Sequence, residues 1–228
     1  MSAGAIIEYP SPNHDLRQRD MVVDMLVVHY TGMLSATAAL ERLCDVEANV
    51  SAQYCIDEDG RIYRLVAEDL RAWHAGISYW RGETDINDRS IGIEMVNPGH
   101  EFGYCPFPER QMDAFRELAL DILGRHPIPA RNVVGHSDVA PERKCDPGEF
   151  FDWYAMAEAS IGLWPREADY LELAPVKIKN ILADIGYDVR DLSATLRAFQ
   201  RHYRPARVNG RLDAETARRI VGLRQLIG

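Results

Sequence analysis

The stretch "MVVDMLVVHYTG" (residues 21–32) contains a continuous apolar run that ends in a histidine and a turn. Such a run predicts a strand covered on both faces, because a strand with one solvated face alternates apolar and polar residues. A second run, "SIGIEMVNPG" (residues 90–99), has the same character but carries Glu94 among apolar neighbours. A carboxylate in such a place costs free energy unless it has a partner or a chemical task.

Helix and hairpin patterns surround these two predicted strands. Residues 35–50 predict a helix with Ser35 as its N-cap, and residues 108–126 carry apolar side chains at helical spacing. Further along the chain, the patterns predict a hairpin around "DEDG" (51–66), a short strand leading into a long polar loop (132–148) and a helix (149–164). Strands that alternate with helices predict an α/β layer structure.

The charge of the chain is divided unevenly between its two ends. Eleven Lys and Arg face five Asp and Glu in residues 174–228, a net charge of +6, which leaves −15 for the other 173 residues. Opposite charge predicts two modules with different partners. We therefore expect a larger domain at 1–164, a linker at 165–173 and a smaller helical module at 174–228. Its three predicted helices cover 175–185, 191–203 and about 213–226.

Three polar side chains stand where a buried strand gives way to a loop or follow closely after one. His29 ends "MLVVHY", His136 ends "NVVGH", and Asp146 lies in "KCDPG". Two histidines and a carboxylate with a fourth position open are typical of a catalytic zinc site. Spacing alone does not pair residues a hundred positions apart, and a histidine at a strand end is often only hydrogen-bonded.

Five motifs in one order carry a family resemblance. They are "VVHYTG" (27–32), "SAQYCIDEDGRIYRLV" (51–66), "RAWHAGISYW" (71–80), "SIGIEMVNPG" (90–99) and "VVGHSDVAPERKCDPG" (133–148). Together they resemble the zinc-dependent N-acetylmuramoyl-L-alanine amidases of the amidase-2 type, over roughly residues 8–160. The resemblance implies an α/β fold with a mixed central sheet flanked by helices. It also implies hydrolysis of the amide between N-acetylmuramic acid, or its anhydro form, and L-alanine in peptidoglycan or its fragments.

The resemblance also implies roles for individual residues. The metal ligands for Zn²⁺ would be His29, His136 and Asp146, and the catalytic residue would be Glu94. Apolar neighbours raise the pKa of a carboxyl group, which suits Glu94 to moving a proton between water and the leaving amine. The alternative for Glu94 is an ion pair with Arg89.

Lys144 matches the lysine of the family pattern, where an ammonium would stabilise the oxyanion of the reaction. In an extended segment the side chains of Lys144 and Asp146 project to the same side. Cys145 is a rival ligand, but the same alternation predicts that its sulfur points away from the metal.

Four residues match substrate-side positions of the family, and these are predicted to bind substrate: Tyr54, Trp73, His74 and Asn97. Ordinary strand packing is an equally good interpretation for Tyr54. The histidines without a surrounding motif are predicted to be surface residues: His14, His100, His126 and His202.

The segment "TLRAFQRHYRPARVNGRLDAETARRI" (195–220) resembles the helical peptidoglycan-binding module of cell-wall hydrolases. Its positive charge would attract the carboxylates of muramoyl peptides. Clustered arginines also suit phosphate, but no helix-turn-helix signature is present, so we expect no nucleic-acid partner. A second interpretation of the whole chain is a recognition protein that holds muropeptides without cutting them. Such relatives lack a metal ligand, whereas here none is replaced.

The compartment follows from three weaker observations. No apolar stretch approaches the roughly 18 residues of a membrane span, and "MSAGAIIEYPSPNHD" has no signal-like pattern. The four cysteines show no CxxC spacing, which favours a reducing compartment. We expect a cytoplasmic enzyme of wall recycling, with a periplasmic or extracellular wall-degrading enzyme as the alternative that the tail suggests.

Overall fold

The first apolar run forms an interior strand of the sheet in the computed structural model, which describes residues 6–166 and 174–228. Most of the predicted linker, residues 167–173, lies outside the described residues. The strands are β1 (Ile7–Glu8), β2 (His14–Leu16), β3 (Met25–Tyr30), β4 (Tyr54–Ile56), β5 (Ile62–Arg64), β6 (Leu70–Ala72), β7 (Ser90–Met95) and β8 (Val133–Gly135). The α-helices are α1 (Ala36–Cys44), α2 (Ile86–Arg89), α3 (Gly99–Phe102), α4 (Glu109–Arg125), α5 (His136–Val139), α6 (Trp153–Glu158), α7 (Pro175–Ile185), α8 (Leu192–Tyr203) and α9 (Ala214–Ile227).

The main sheet is mixed and has six strands in the order β1-β5-β4-β7-β3-β8. β4 and β5 form the antiparallel hairpin predicted around "DEDG", and every other neighbouring pair in this sheet is parallel. β2 and β6 pair separately. The α/β fold with a mixed central sheet and flanking helices is confirmed. Register matters for the site, because His29 on β3 lies opposite Glu94 on β7.

Alternation along β3 sends its side chains to two different cores. Leu26 and Val28 pack with α4, whose apolar residues Phe115, Leu118 and Ile122 recur at helical spacing. Burying one such large apolar side chain contributes about 1.5–3 kcal/mol. Residues 25, 27 and 29 point to the opposite face, which therefore carries His29.

The three helices predicted for the tail are present at nearly the predicted positions. α8 and α9 begin at the caps Asp191 and Asp213, whose side chains accept from the N–H groups of Ala194 and Thr216. The helices do not stand apart from the sheet. Their apolar side chains, among them Ile178, Leu182 and Phe199, share one core with Met25 and Val27 of β3.

Three predicted elements differ from the structure. The helix predicted at 35–50 has its Ser35 cap but ends at Cys44, because Asp45 caps a separate 3-10 turn, Val46–Ala48. The helix predicted at 149–164 is confined to Trp153–Glu158, since Ser160 takes a left-handed backbone conformation. The polar loop predicted after the strand at 132–148 begins instead with the single turn of α5.

The described residues contain no helix long and apolar enough to cross a membrane. All four cysteines are free thiols.

Glu68 forms a charged cluster where the loop after β5 meets the end of α4. Its carboxylate accepts hydrogen bonds of 2.7 Å from the Tyr54 hydroxyl, from Arg125 Nη2 and from His126 Nε2. Burial alone would raise the pKa of Glu68, but these donors hold the pKa at about 2. The ionised carboxylate therefore links the loop after β5 to the end of α4.

We expect Glu68→Gln to lower the free energy of unfolding at pH 7 by about 1–2 kcal/mol, after allowance for solvent screening. Because the folded-state pKa lies below the unfolded one, the contribution is present above the ordinary glutamate pKa. It is lost as the pH falls toward 2. Urea unfolding of both proteins from pH 7 to 3.5 should therefore show a shrinking difference. A difference that stays constant would contradict the prediction, and Glu101→Gln on the surface is the control.

Candidate metal centre and active site

The side chains of His29, His136 and Asp146 converge on one point at an end of the sheet. His29 is the penultimate residue of β3, and His136 follows β8 as the first residue of α5. Their Nδ1 atoms lie 2.9 Å apart. Oδ2 of Asp146 lies 3.1 Å from the first and 2.9 Å from the second. All three side chains are buried, and their ligand atoms could hold a metal ion.

The hydrogen-bond partner of His136 on the side away from the cluster shows which ring nitrogen carries the proton. Its Nε2 lies 3.0 Å from the carbonyl oxygen of Ala75, which can only accept. Nε2 therefore carries the proton, and in the neutral ring Nδ1 presents a lone pair to the cluster. Outer contacts of this kind fix the tautomer of a metal-binding histidine.

A chain of hydrogen bonds places the proton on His29 in the same way. The Ser90 hydroxyl donates to the carbonyl of Ile86 at 2.6 Å, so its oxygen accepts from His74 Nε2 at 3.1 Å. Burial lowers the pKa of His74 well below the ordinary value, so its ring is neutral and its Nδ1 accepts. That atom lies 3.0 Å from His29 Nε2, which therefore donates. Nδ1 of His29 is left with a lone pair facing the cluster.

The donor set fits a cation. Burial and the neighbouring His136 lower the pKa of His29 to about 4, so its ring is neutral at pH 7. Burial opposes the ionisation of Asp146, but a proton shared with the imidazole nitrogens holds the pKa of its carboxyl group well below the usual range, and a bound cation would take the place of that proton. Two lone pairs and one anionic oxygen within 3.1 Å repel one another unless a positive charge stands among them. Two histidines and one carboxylate form a typical catalytic zinc set.

Glu94 lies beside this cluster, and its carboxylate takes part in none of the ion pairs found among residues 6–166 and 174–228. The alternative pairing with Arg89 is wrong, since that guanidinium donates to Asp24, with 2.7 Å between Nε and Oδ1. Oε2 of Glu94 is screened from solvent and has no hydrogen-bond partner among the described residues. Burial and the nearby charge of Asp146 raise the pKa of Glu94 to about 8, against the opposing effect of Lys144. A carboxyl group with such a pKa can both accept and return a proton near neutral pH.

The positive charge of Lys144 lies close enough to the cluster to lower the pKa values of both Glu94 and His29. The rival ligand Cys145 points elsewhere. Its sulfur lies 3.1 Å from the Tyr30 hydroxyl and 3.5 Å from His100 Nδ1. The alternation expected from the sequence thus holds for the sulfur.

Two of the four substrate-binding candidates are buried and have their polar groups hydrogen-bonded within the protein, which corrects the expectation that they face a substrate. Tyr54 faces the α4 core, on the opposite side of the sheet from His29 and Glu94, and its hydroxyl donates to Glu68. Asn97 is buried, with its amide donating to the Cys105 carbonyl at 2.8 Å and accepting from the Gly99 N–H at 3.0 Å. Its amide holds the loop after β7 together.

The other two candidates are neighbours in sequence but differ in position. His74 is buried behind His29. It was predicted to contact the substrate, but in the structure it contacts the metal ligand His29. Its ring fits there because the facing residue is Gly92, where a Cβ atom would lie 2.5 Å from the ring. Trp73 is half-buried, and its indole N–H donates to Asp15 at 2.7 Å. A substrate contact of Trp73 stays a prediction.

Sequence reasoning missed three polar residues that reach the ligands only through a neighbour: Ser90 bonds His74, and Asp138 on α5 bonds His202. His202 was expected at the surface, but it is 2% exposed and donates from Nδ1 to Asp138 at 2.7 Å. Helical spacing carried a usable signal, because His202 lies three residues after the buried Phe199, on the apolar face of α8.

Known proteins resemble this chain in sequence and in fold. The sequence profile of the N-acetylmuramoyl-L-alanine amidase family (Amidase_2) matches residues 19–149. N-acetylmuramoyl-L-alanine amidase AmiD of Escherichia coli (strain K12) is 38% identical over 222 residues, covering 85% of this chain and 79% of the relative. The 1,6-anhydro-N-acetylmuramyl-L-alanine amidase AmpD of Enterobacter cloacae is 36% identical over 161 residues, covering 63% of this chain and 84% of AmpD.

Solved structures of two related proteins have a similar fold. Escherichia coli AmiD, in complex with the substrate anhydro-N-acetylmuramic acid-L-Ala-D-gamma-Glu-L-Lys, superposes with a TM-score of 0.83, 36% identity and 92% of each chain covered. AmpDh3 from Pseudomonas aeruginosa, in complex with anhydromuramic pentapeptide, gives a TM-score of 0.82 and 35% identity, with 90% of this chain and 92% of the other covered. With the fold, the buried ligand cluster and the family motifs in agreement, this chain belongs to the N-acetylmuramoyl-L-alanine amidase family.

Proposed function

We propose that this chain is a zinc-dependent amidase that hydrolyses the bond between the lactyl group of 1,6-anhydro-N-acetylmuramic acid and L-alanine of the stem peptide. The observation that carries the proposal is the buried cluster of His29, His136 and Asp146, with Glu94 beside it, whose Oε2 has no hydrogen-bond partner in the part of the chain that the structure describes. Support for the substrate comes from AmiD and AmpDh3, whose structures hold anhydromuramic peptides.

The two histidines and Asp146 would hold the ion, which when bound supplies an acidified water and a Lewis acid for the scissile carbonyl. Glu94 takes a proton from the attacking water as the C–O bond forms. It then gives that proton to the nitrogen of L-alanine as the C–N bond breaks. The products are the lactyl carboxylate and the amino group of L-alanine, with the second proton of the water released to that amine or to solvent. Lys144 stabilises the oxyanion that develops on the carbonyl oxygen.

The direct test is a digest of 1,6-anhydro-N-acetylmuramoyl tripeptide followed by liquid chromatography and mass spectrometry. We expect the anhydro sugar acid and the free tripeptide, with the activity lost after chelation and restored by Zn²⁺. Intact substrate after incubation with metal-loaded protein would overturn the proposal. If the same sample bound the substrate in calorimetry, the alternative of a muropeptide-binding protein without catalysis would replace it.

Replacing Lys144 with Met should lower kcat by about 10²–10³, the usual cost of removing one oxyanion donor. Because Lys144 also lowers the pKa of Glu94, its loss should move the acid limb of the pH–rate profile to higher pH. Steady-state rates from pH 5 to 9 test both effects. Arg19→Met, which removes one exposed surface charge, is the control. An unshifted profile with a normal kcat would remove Lys144 from the mechanism.

We propose the division into a catalytic domain at 1–164, a linker at 165–173 and a substrate-holding module at 174–228. Within this module the guanidinium of Arg204 is already paired with Asp213 and Glu215, so it is not free to bind a substrate carboxylate. Lys177 and Lys179 lie on α7 and do not take part in that network. Co-sedimentation of the full chain with purified sacculi should weaken in the Lys177→Glu, Lys179→Glu double variant. Unchanged sedimentation would argue against a polymer-holding role for these lysines.

We propose a cytoplasmic location, which is supported by the four free thiols and favours the recycling of wall fragments over attack on the intact wall. Fractionation of the producing cells, with enzyme markers for each compartment, is the test. Recovery in the periplasmic or extracellular fraction would support the alternative.

A further inference from the structure

The buried carboxylate of Asp138 connects the helical tail to the metal cluster. Asp138 lies on α5, two residues after the ligand His136, and is 1% exposed. Its Oδ2 accepts from the backbone N–H of Gly135 at 2.8 Å. The other two donors come from the tail, since the Tyr187 hydroxyl donates to Oδ1 and His202 Nδ1 donates to Oδ2, both at 2.7 Å.

The single turn of α5 holds two of the three metal ligands. His136 is its first residue, and the backbone N–H of Ser137 donates to the carbonyl of Asp146 at 2.9 Å. A shift of α5 would therefore move an imidazole and a carboxylate together. A four-residue helix has few hydrogen bonds of its own, so outside contacts must fix its position.

Both tail donors are themselves held by aromatic side chains of the catalytic domain. The Tyr187 ring packs edge-on against Trp80, with 5.1 Å between centroids. The His202 ring stacks on Trp153 at 3.8 Å. These rings are buried, so water does not replace a donor that is removed. Asp138 would then stay buried with too few donors, which is costly for a carboxylate.

We propose that Tyr187 and His202 are positioning residues of the amidase, through which the tail fixes Asp138, the α5 turn and thereby the metal ligands. The tail thus completes the metal centre as well as extending the substrate surface. This inference rests on the proposed function, because it assumes that His29, His136 and Asp146 bind the ion.

The test measures metal affinity in Tyr187→Phe and His202→Leu by competition with a chromophoric zinc chelator. We expect affinity to fall about tenfold in each, at the low end for outer partners of metal ligands, because Asp138 acts through the backbone. The visible absorption spectrum of the Co²⁺-loaded protein should change as the ligand geometry relaxes. At saturating Zn²⁺, KM should stay within about twofold of the unmodified value, since no substrate contact is altered.

Controls separate positioning from simple loss of stability. Thr195→Val removes buried hydrogen bonds within the tail, from Thr195 to the carbonyls of Asp188 and Asp191, without touching Asp138. It should lower Tm and leave metal affinity unchanged. His202→Asn should recover most of the affinity lost in His202→Leu, because its side-chain amide can donate from nearly the same place as Nδ1.

A double-mutant cycle tests whether Tyr187 acts on the metal ligands through Asp138. In an Asp138→Asn background, Tyr187→Phe should weaken metal binding by less than about twofold, because the carboxylate that it positions is gone. If the folded Tyr187→Phe and His202→Leu variants keep both the unmodified metal affinity and the unmodified Co²⁺ spectrum, the inference is wrong. Failure of the unmodified protein to bind Zn²⁺ or to cut substrate would instead refute the proposed function.

Discussion

Glu94→Gln is expected to lower kcat by about 10³, within the range for loss of a general acid–base group, while Zn²⁺ content stays at the unmodified level. The amide has nearly the shape of the carboxyl group, but it cannot take a proton from water. Glu94 is not one of the three ligands in the cluster, so metal binding should survive. Steady-state kinetics and metal analysis of the same preparation measure both quantities.

The same substitution has an expected effect on stability, with a definite sign. Because burial raises the folded-state pKa of Glu94 to about 8, ionising this carboxyl group destabilises the metal-free folded protein. That destabilisation grows as the pH rises from the ordinary glutamate pKa toward 8. Metal-free Glu94→Gln should therefore be at least as stable as the unmodified protein at pH 8. The exposed Glu58→Gln serves as the control.

Near-normal turnover in Glu94→Gln would show that Glu94 does not carry out the proton transfer. Loss of both turnover and metal would mean instead that Glu94 supports the ligand cluster. The combination of lower activity and undiminished stability is the mark of a group kept for chemistry at the expense of stability.

The fold was predictable wherever one local pattern decides one element. The apolar runs around His29 and Glu94 form strands in which every side chain except Tyr30 and Glu94 is buried. The α5 turn was not predictable, because the contacts that hold it come from Tyr187 and His202, about fifty and more than sixty residues further along the chain. No local pattern records such a contact.

The candidate site was predictable only through the family motifs. Spacing does not bring His29 and His136 together, since they are 107 positions apart in the sequence. The parallel pairing of β3 with β7 and β8 does so, and that pairing depends on the whole sheet. The alternation of side chains between the two faces of the sheet explains why the prediction for Tyr54 is wrong. It is aligned with Ile93, one residue before Glu94, and so faces the other side of the sheet.

His29→Ala is expected to abolish stoichiometric Zn²⁺ binding and to lower kcat/KM by about 10³ or more, since both activation of water and polarisation of the carbonyl depend on the bound ion. It should also remove the response of stability to metal. For the unmodified protein, Zn²⁺ at a hundred times its Kd should add about 2.7 kcal/mol to the free energy of unfolding.

Thermal unfolding with added Zn²⁺ and with chelator separates His29→Ala from a general loss of structure. The unmodified protein and the exposed His14→Ala control should show a Tm that rises with Zn²⁺ and falls with chelator. The Tm of His29→Ala should be the same in both conditions, because two remaining ligands hold the ion weakly. In the metal-free state the variant should be close to the unmodified protein in stability, since it loses packing but also loses the repulsion among the three ligand atoms. Full metal content and activity in His29→Ala would place the metal elsewhere and overturn the assignment of the cluster.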